Sequence, residues 1–107
     1  MTEFTNETIS IEVADDDTVV VSGDIDMAGG PLLDAALAHR DDDRPVILDL
    51  AGVSFIDSSG LRSLLDAARR AHGRGTDVVL RSIGPEVARL LELTGAGSQF
   101  RIERRRD

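Results

Sequence analysis

The chain contains no cysteine, and that absence removes disulfides, thiolate nucleophiles and zinc–thiolate sites together while leaving the redox compartment open. Histidine is scarce: only His39 and His72 occur, too few for a histidine-based metal cluster. Lysine is missing, so all twelve cationic side chains are arginine, a bias we attribute to codon usage rather than mechanism. No apolar run approaches the roughly 20 residues of a membrane span, and the opening Met1-Thr2-Glu3-Phe4 lacks the basic and apolar regions of a signal peptide. A soluble, cytoplasmic protein without direct membrane insertion is expected. The glycines at positions 23, 29, 30, 60, 73 and 75 form neither a Walker A loop nor a G-x-G-x-x-G turn. No cofactor, metal or catalytic residue is therefore expected.

What is present suits one domain spanning residues 1–107. A chain of 107 residues, 41% of them hydrophobic, can build one core and is too short for two. Its net charge of −8 repels phosphate backbones and anionic lipid, so nucleic acid is not an expected partner; a protein carrying positive charge is.

Hydrophobic periodicity outlines the elements. Ile9-Ser-Ile-Glu-Val13 alternates, predicting a strand with one wet side at the edge of a sheet, with residues 1–7 and 103–107 as flexible ends. Across Asp15-Asp16-Asp17, residues 18–22 return as the second strand of an antiparallel hairpin. That acidic triplet reads as a solvated turn, since nothing fixes three adjacent carboxylates around one ion. Met27 and the apolar side chains Leu33, Ala36 and Leu37 are expected in the core. The last three lie on an amphipathic helix opened by Pro31, with Asp34 and Arg40 outside and His39 exposed near its end. A second acidic turn, Asp41-Asp42-Asp43, precedes Pro45-Val-Ile-Leu-Asp-Leu50, an apolar run of the kind buried on both faces of a parallel sheet. Leu61, Leu64, Leu65 and Ala68 mark the next helix, stopped by Gly73 and Gly75, with His72 favourably placed at its negative end. Residues 76–81 read as a strand, and Gly84-Pro85 opens a helix with Val87, Leu90, Leu91 and Thr94 in register. Gly95-Ala96-Gly97 stops that helix, Phe100-Arg101-Ile102 adds a short last strand, and Arg104-Arg105-Arg106 is a solvated tail. The fold class is α/β: a mixed, mostly parallel sheet of about four to five strands with an antiparallel N-terminal edge strand, packed by about three to four helices.

Parallel strands end at one edge of a sheet, so residues 23–26 and the loop over 51–59 should lie side by side, at the edge where ligands and partners usually bind. There Phe55-Ile56-Asp57-Ser58-Ser59-Gly60-Leu61 places a carboxylate and two serines where strand gives way to helix. A helix start offers unpaired backbone N–H groups and partial positive charge, a place for an anion or for a phosphate on serine. Asp and Ser are also preferred N-caps, and the competing reading is that Asp57 or Ser58 merely caps the helix. A serine hydrolase fails on local grounds: the elbow G-x-S-x-G needs glycine where Ile56 stands, and neither histidine sits in a loop expected at this edge. What remains is a domain that binds a protein and can itself be modified. A phosphate on Ser58 adds about −1.5 to −2 charges, tolerated by the helix start but repulsive to a complementary surface, given Asp57 beside it and Asp24 and Asp26 nearby.

The run Val46-Ile-Leu-Asp-Leu-Ala-Gly-Val-Ser-Phe-Ile-Asp-Ser-Ser-Gly-Leu61 closely resembles the signature of STAS domains, in particular bacterial anti-sigma factor antagonists. Gly23-Asp24-Ile25-Asp26, Leu91-Glu92-Leu93-Thr94-Gly95 and Phe100-Arg101-Ile102 extend the resemblance over most of the chain. It implies a single STAS-type domain and a partner-switching cycle. The unphosphorylated protein would bind an anti-sigma factor that is an ATP-dependent serine kinase, freeing a sigma factor. Phosphorylation would release it, and a PP2C-type phosphatase would reset it. The resemblance assigns the phosphate to Ser58, with Ser59 supporting and Asp24 and Asp26 in the contact region. Asp57, Gly60 and Arg62 complete the expected partner-binding set. The alternative within the same fold is a non-enzymatic STAS adaptor that grips the ATPase of an ABC-type lipid-transport complex.

Overall fold

Alternation of apolar and polar side chains carries the chain through its first strands, and in the computed structural model, which describes residues 2–38 and 42–103, six strands join one sheet. They are β1 (Thr2–Thr5), β2 (Ile9–Val13), β3 (Val19–Ile25), β4 (Val46–Ile56), β5 (Val78–Arg81) and β6 (Arg101–Glu103), ordered across the sheet as in the chain. The first three are antiparallel neighbours, and β3 to β6 run parallel. Helices α1 (Gly30–Leu37), α2 (Ser58–Gly73) and α3 (Pro85–Thr94) connect the parallel strands, α3 being followed by a 3₁₀ turn at Ala96–Gln99. The mixed α/β architecture expected from the sequence is the one observed.

Four details differ from the sequence expectation. Thr2–Thr5 form β1 rather than a free end, so β2 is an inner strand and the sheet has six strands instead of four to five. The Asn6 side chain makes this turn: its Oδ1 accepts the backbone N–H of Thr8 at 2.8 Å and of Ile9 at 3.0 Å, and Phe4 lands opposite Ile11. Strand β4 does not yield to a loop after Leu50 but pairs with β3 as far as Ile56. It is also buried on one face only: Val46, Leu48 and Leu50 are inside, while Ile47 and Asp49 are half-buried. Met27, expected in the core, is 77% exposed.

One-sided burial follows from the topology. Parallel neighbours in sequential order, joined by right-handed crossovers, put their helices on the same face of the sheet. Val87 and Leu91 of α3, Leu64 and Ala68 of α2 and Leu33 of α1 accordingly share one cluster with Ile11, Val21, Leu48, Leu50 and Leu80. The opposite face carries a row in register across all six strands, Glu3, Glu12, Val20, Asp49, Arg81 and Glu103. Arg81 donates to Glu103 at 2.8 Å there, and that hydrogen bond raises the guanidinium pKa further.

The acidic turns are tied together. Arg44 bridges Asp42 at 2.8 Å and Asp17 at 3.1 Å, and Arg74, just past α2, donates to the Asp42 carbonyl at 2.9 Å. Asp16 accepts the Thr18 N–H at 3.1 Å, which holds its carboxyl below the ordinary value of 3.8. His72 closes α2 as expected, its Nε2 lying 3.4 Å from Asp77. His39, Arg40, Asp41 and the basic tail Arg104-Arg105-Arg106 lie outside the described residues.

Candidate functional site

The site is built where β4 runs into α2. Ile56 pairs with Ile25 and Phe55 with Asp24, and the Asp57 N–H reaches the Ile25 carbonyl at 3.4 Å. The segments 23–26 and 55–59 therefore meet at the carboxyl edge of the parallel strands, as the sequence order implies. Asp57 then turns extended, at φ −117°, and caps α2: its Oδ1 accepts the Gly60 N–H at 3.0 Å, and its carbonyl accepts the Leu61 N–H at 2.9 Å.

This division of labour decides which residue caps. With Asp57 in that role, Ser58 is the first helical residue and stands exposed, whereas Ser59 is half-buried. Gly60 is buried, and a Cβ built there would sit 1.9 Å from the Ile25 carbonyl oxygen. Only glycine lets the first turn of α2 press this closely on the end of β3. A second close approach fixes the other side of the edge: Gly23 has φ +94°, and a Cβ there would meet the Thr8 carbonyl oxygen at 2.1 Å. The chain then enters the Asp24–Asp26 turn, with the Asp24 N–H bonded to that same Thr8 carbonyl at 2.9 Å.

The two aspartates of this turn differ. Asp26 shapes the approach to α1, its Oδ1 accepting the N–H groups of Ala28 at 3.0 Å and Gly29 at 2.9 Å. Asp24 is half-buried in register with Phe55. At the acidic turn stand two large apolar side chains open to solvent, Met27, next after Asp26, and Phe55, paired with Asp24 and 46% exposed. Sequence reasoning missed both. Phe55 could not be placed by counting from Val46, Leu48 and Leu50, because the pairing of β4 with β3 shifts register twice before it.

Along α2, Ser58, Leu61, Arg62, Leu65 and Arg69 recur at helical spacing, and with Gln99 they line a cleft of about 390 Å³. Arg62, expected at the partner surface, is exposed on this cleft. His72 sits at the opposite end of α2, about 21 Å along the axis from Ser58. Among the described residues, no group of three or more metal-ligating side chains comes together, and no helix is long and apolar enough to cross a membrane.

A family model described as the Mlab STAS domain matches residues 10–102 of the chain. The protein belongs to the STAS domain family. Its sequence is 32% identical over 101 residues to the anti-sigma-B factor antagonist of Listeria monocytogenes, covering 89% of each chain. Among solved structures, this STAS domain is similar to an anti-sigma factor antagonist from Mycobacterium paratuberculosis, with a TM-score of 0.73, 30% identity, and coverage of 92% of this chain and 87% of that one. The fold is also that of the anti-sigma factor antagonist SpoIIAA in its unphosphorylated form, at a TM-score of 0.69 and 21% identity over 92% of this chain and 89% of that one. The Bacillus protein in its phosphorylated form gives 0.66 and 19%, over 92% of each chain. The Listeria and Mycobacterium relatives are both anti-sigma factor antagonists.

Proposed function

We propose that this STAS domain is a cytoplasmic anti-sigma factor antagonist whose grip on an anti-sigma factor serine kinase is switched off by phosphorylation of Ser58. The observation that carries the reading is the placement of Ser58: exposed, first in α2, and relieved of capping duty by Asp57. In the transfer step the Ser58 Oγ–P bond forms as the terminal phosphoanhydride of ATP breaks; ADP leaves with the bridging oxygen, and the hydroxyl proton is lost. The protein itself catalyses nothing and acts by binding. Its unmodified surface offers Met27 and Phe55 as apolar contacts beside Asp24, Asp57 and Ser58.

The added charge of about −1.5 to −2 suits the helix start, where the macrodipole favours anions. Across an interface the same charge stands next to Asp57 and must be desolvated, so it is the complex that suffers. A PP2C-type phosphatase restores the hydroxyl and with it the complex. The likeness to an anti-sigma-B factor antagonist over 89% of the chain supports this cycle.

The test uses the anti-sigma factor kinase from the same genome. Incubation with ATP is expected to place one phosphate on Ser58 by mass spectrometry, and Ser58→Asp to lose the complex that Ser58→Ala keeps. A kinase that leaves Ser58 unmodified, or binds Ser58→Asp as well as wild type, would sink the proposal. Co-purification with an ABC-type ATPase, indifferent to Ser58→Asp, would point to the adaptor role instead.

A further inference from the structure

The cleft along α2 bears on how the phosphate acts. Its floor is apolar, from buried Leu61 and half-buried Leu65, and its wall across from the helix is Gln99 of the 3₁₀ turn. Two cations rim it, and they are not equivalent. Arg69 is held by Asp66 on its own helix. Arg62 makes no ion pair among the described residues, although the chain as a whole carries a net charge of −8. A guanidinium that pairs with none of the described carboxylates, on so acidic a protein, is one turn of helix from the serine that carries the modification.

We propose that Arg62 is the receiver of the Ser58 phosphate. The inference rests on the reading of Ser58 as a phosphorylation site. Residues i and i+4 of a helix face each other at about 5–6 Å between Cβ atoms, and an acid placed N-terminal to its base is the favoured order. A phosphoserine offers three acceptor oxygens, and the planar guanidinium matches two of them with parallel N–H donors. The pair closes over the mouth of the cleft. Phosphorylation then does two things to a partner at once: it adds negative charge, and it withdraws the rim cation that no described carboxylate holds. In the unmodified protein Arg62 stands beside an apolar cleft, chemistry that takes an apolar side chain of the partner flanked by a carboxylate.

Phosphoserine incorporated at position 58 during translation allows a test without any kinase or partner. The phosphorus NMR signal is titrated in the wild-type background and in Arg62→Gln and Arg69→Gln. Pairing with Arg62 favours the dianion, so Arg62→Gln is expected to raise the second ionisation midpoint by about 0.5 pH unit, a roughly threefold change in proton affinity. Arg69→Gln should leave it in place, and about 1 M salt should collapse the difference. The other charges near the phosphate, Asp24, Asp26, Asp57 and Asp66, are common to the three proteins. Equal midpoints in wild type and Arg62→Gln, as expected if the helix start alone held the phosphate, or a shift produced by Arg69→Gln instead, would overturn the pairing. Either result leaves the antagonist role standing, whereas failure of the kinase to modify Ser58 sinks that role and leaves this titration measurable. With the kinase in hand, Arg62→Gln should weaken the unphosphorylated complex and narrow the gap between Ser58 and its phosphorylated form; an unchanged gap would count against the pairing.

Discussion

Single atoms decide what the start of α2 can be. A Cβ at Gly60 would stand 1.9 Å from the Ile25 carbonyl oxygen, a backbone atom with no freedom to swing aside. We expect Gly60→Ala to lower stability by about 1–3 kcal/mol, the range for overpacking a well-packed site, read as a shift in the urea midpoint at unchanged m-value. Asp57→Ala removes the acceptor of the Gly60 N–H and should cost about 1 kcal/mol, with Asp57→Asn recovering most of it. Ser58→Ala, at an exposed position with no capping role, should stay within about 0.5 kcal/mol of wild type. If Ser58→Ala proved as costly as Asp57→Ala, the assignment of the cap would be wrong. Asp57 and Ser58 are adjacent, and both are good caps by type, so the residue names alone leave the choice open. It is the extended conformation of Asp57, imposed by pairing of β4 with β3 up to Ile56, that settles it.

At the scale of elements, the legible parts were those whose pattern is local: the β2–β3 hairpin, the amphipathic stripe of α2, the Gly-Pro start of α3. Elements formed by pairing were harder to see. β1 has a single large apolar side chain, Phe4, among Thr2, Glu3 and Thr5, and becomes a strand because Asn6 turns it back onto β2. We expect Asn6→Ala, which deletes the acceptor of three hydrogen bonds, to cost about 1–2 kcal/mol. Faster amide exchange should appear in β1 and not in β4, since local opening reaches the least-packed unit first. The far half of β4 was hidden likewise, because Ala51, Gly52 and Ser54 interrupt its apolar run while the backbone keeps its partner in β3. The error about burial has a different origin. A continuous Val-Ile-Leu run looks the same whether helices cover one face of a sheet or both, and only the order of the strands distinguishes them. Leu48→Ala should therefore cost about 2–5 kcal/mol, and Ile47→Ala, on the half-buried face, clearly less by chemical denaturation; equal costs would contradict one-sided cover.

On the scale of the whole molecule, the switch and the core are separate. Leu48, Leu50, Val78 and Leu80 lie fully inside the cluster that unites the three helices, while Ser58 sits outside it, on the rim where parallel strands end. The D-S-S-G run and its edge location were legible in advance, but the neighbours that give the site its chemistry were not. Met27 and Phe55 were placed by the course of the backbone, and Gln99 reaches the cleft only through a 3₁₀ turn that the Gly95-Ala96-Gly97 stop did not reveal. Phosphate on Ser58 takes the net charge from −8 to about −10, an increment that opposes compactness only weakly when it falls on an exposed helix start. Regulation by unfolding would require the phosphate to disturb packed side chains it does not touch. We expect the phosphorylated protein to keep its thermal midpoint or gain slightly, by up to about 1 kcal/mol from the helix dipole at low salt. Amide shift changes should be confined to residues 24–27 and the first two turns of α2. Broad changes through β4 and β5, or a midpoint lowered by several degrees, would mean that the phosphate acts on the fold itself and not on the surface the fold presents.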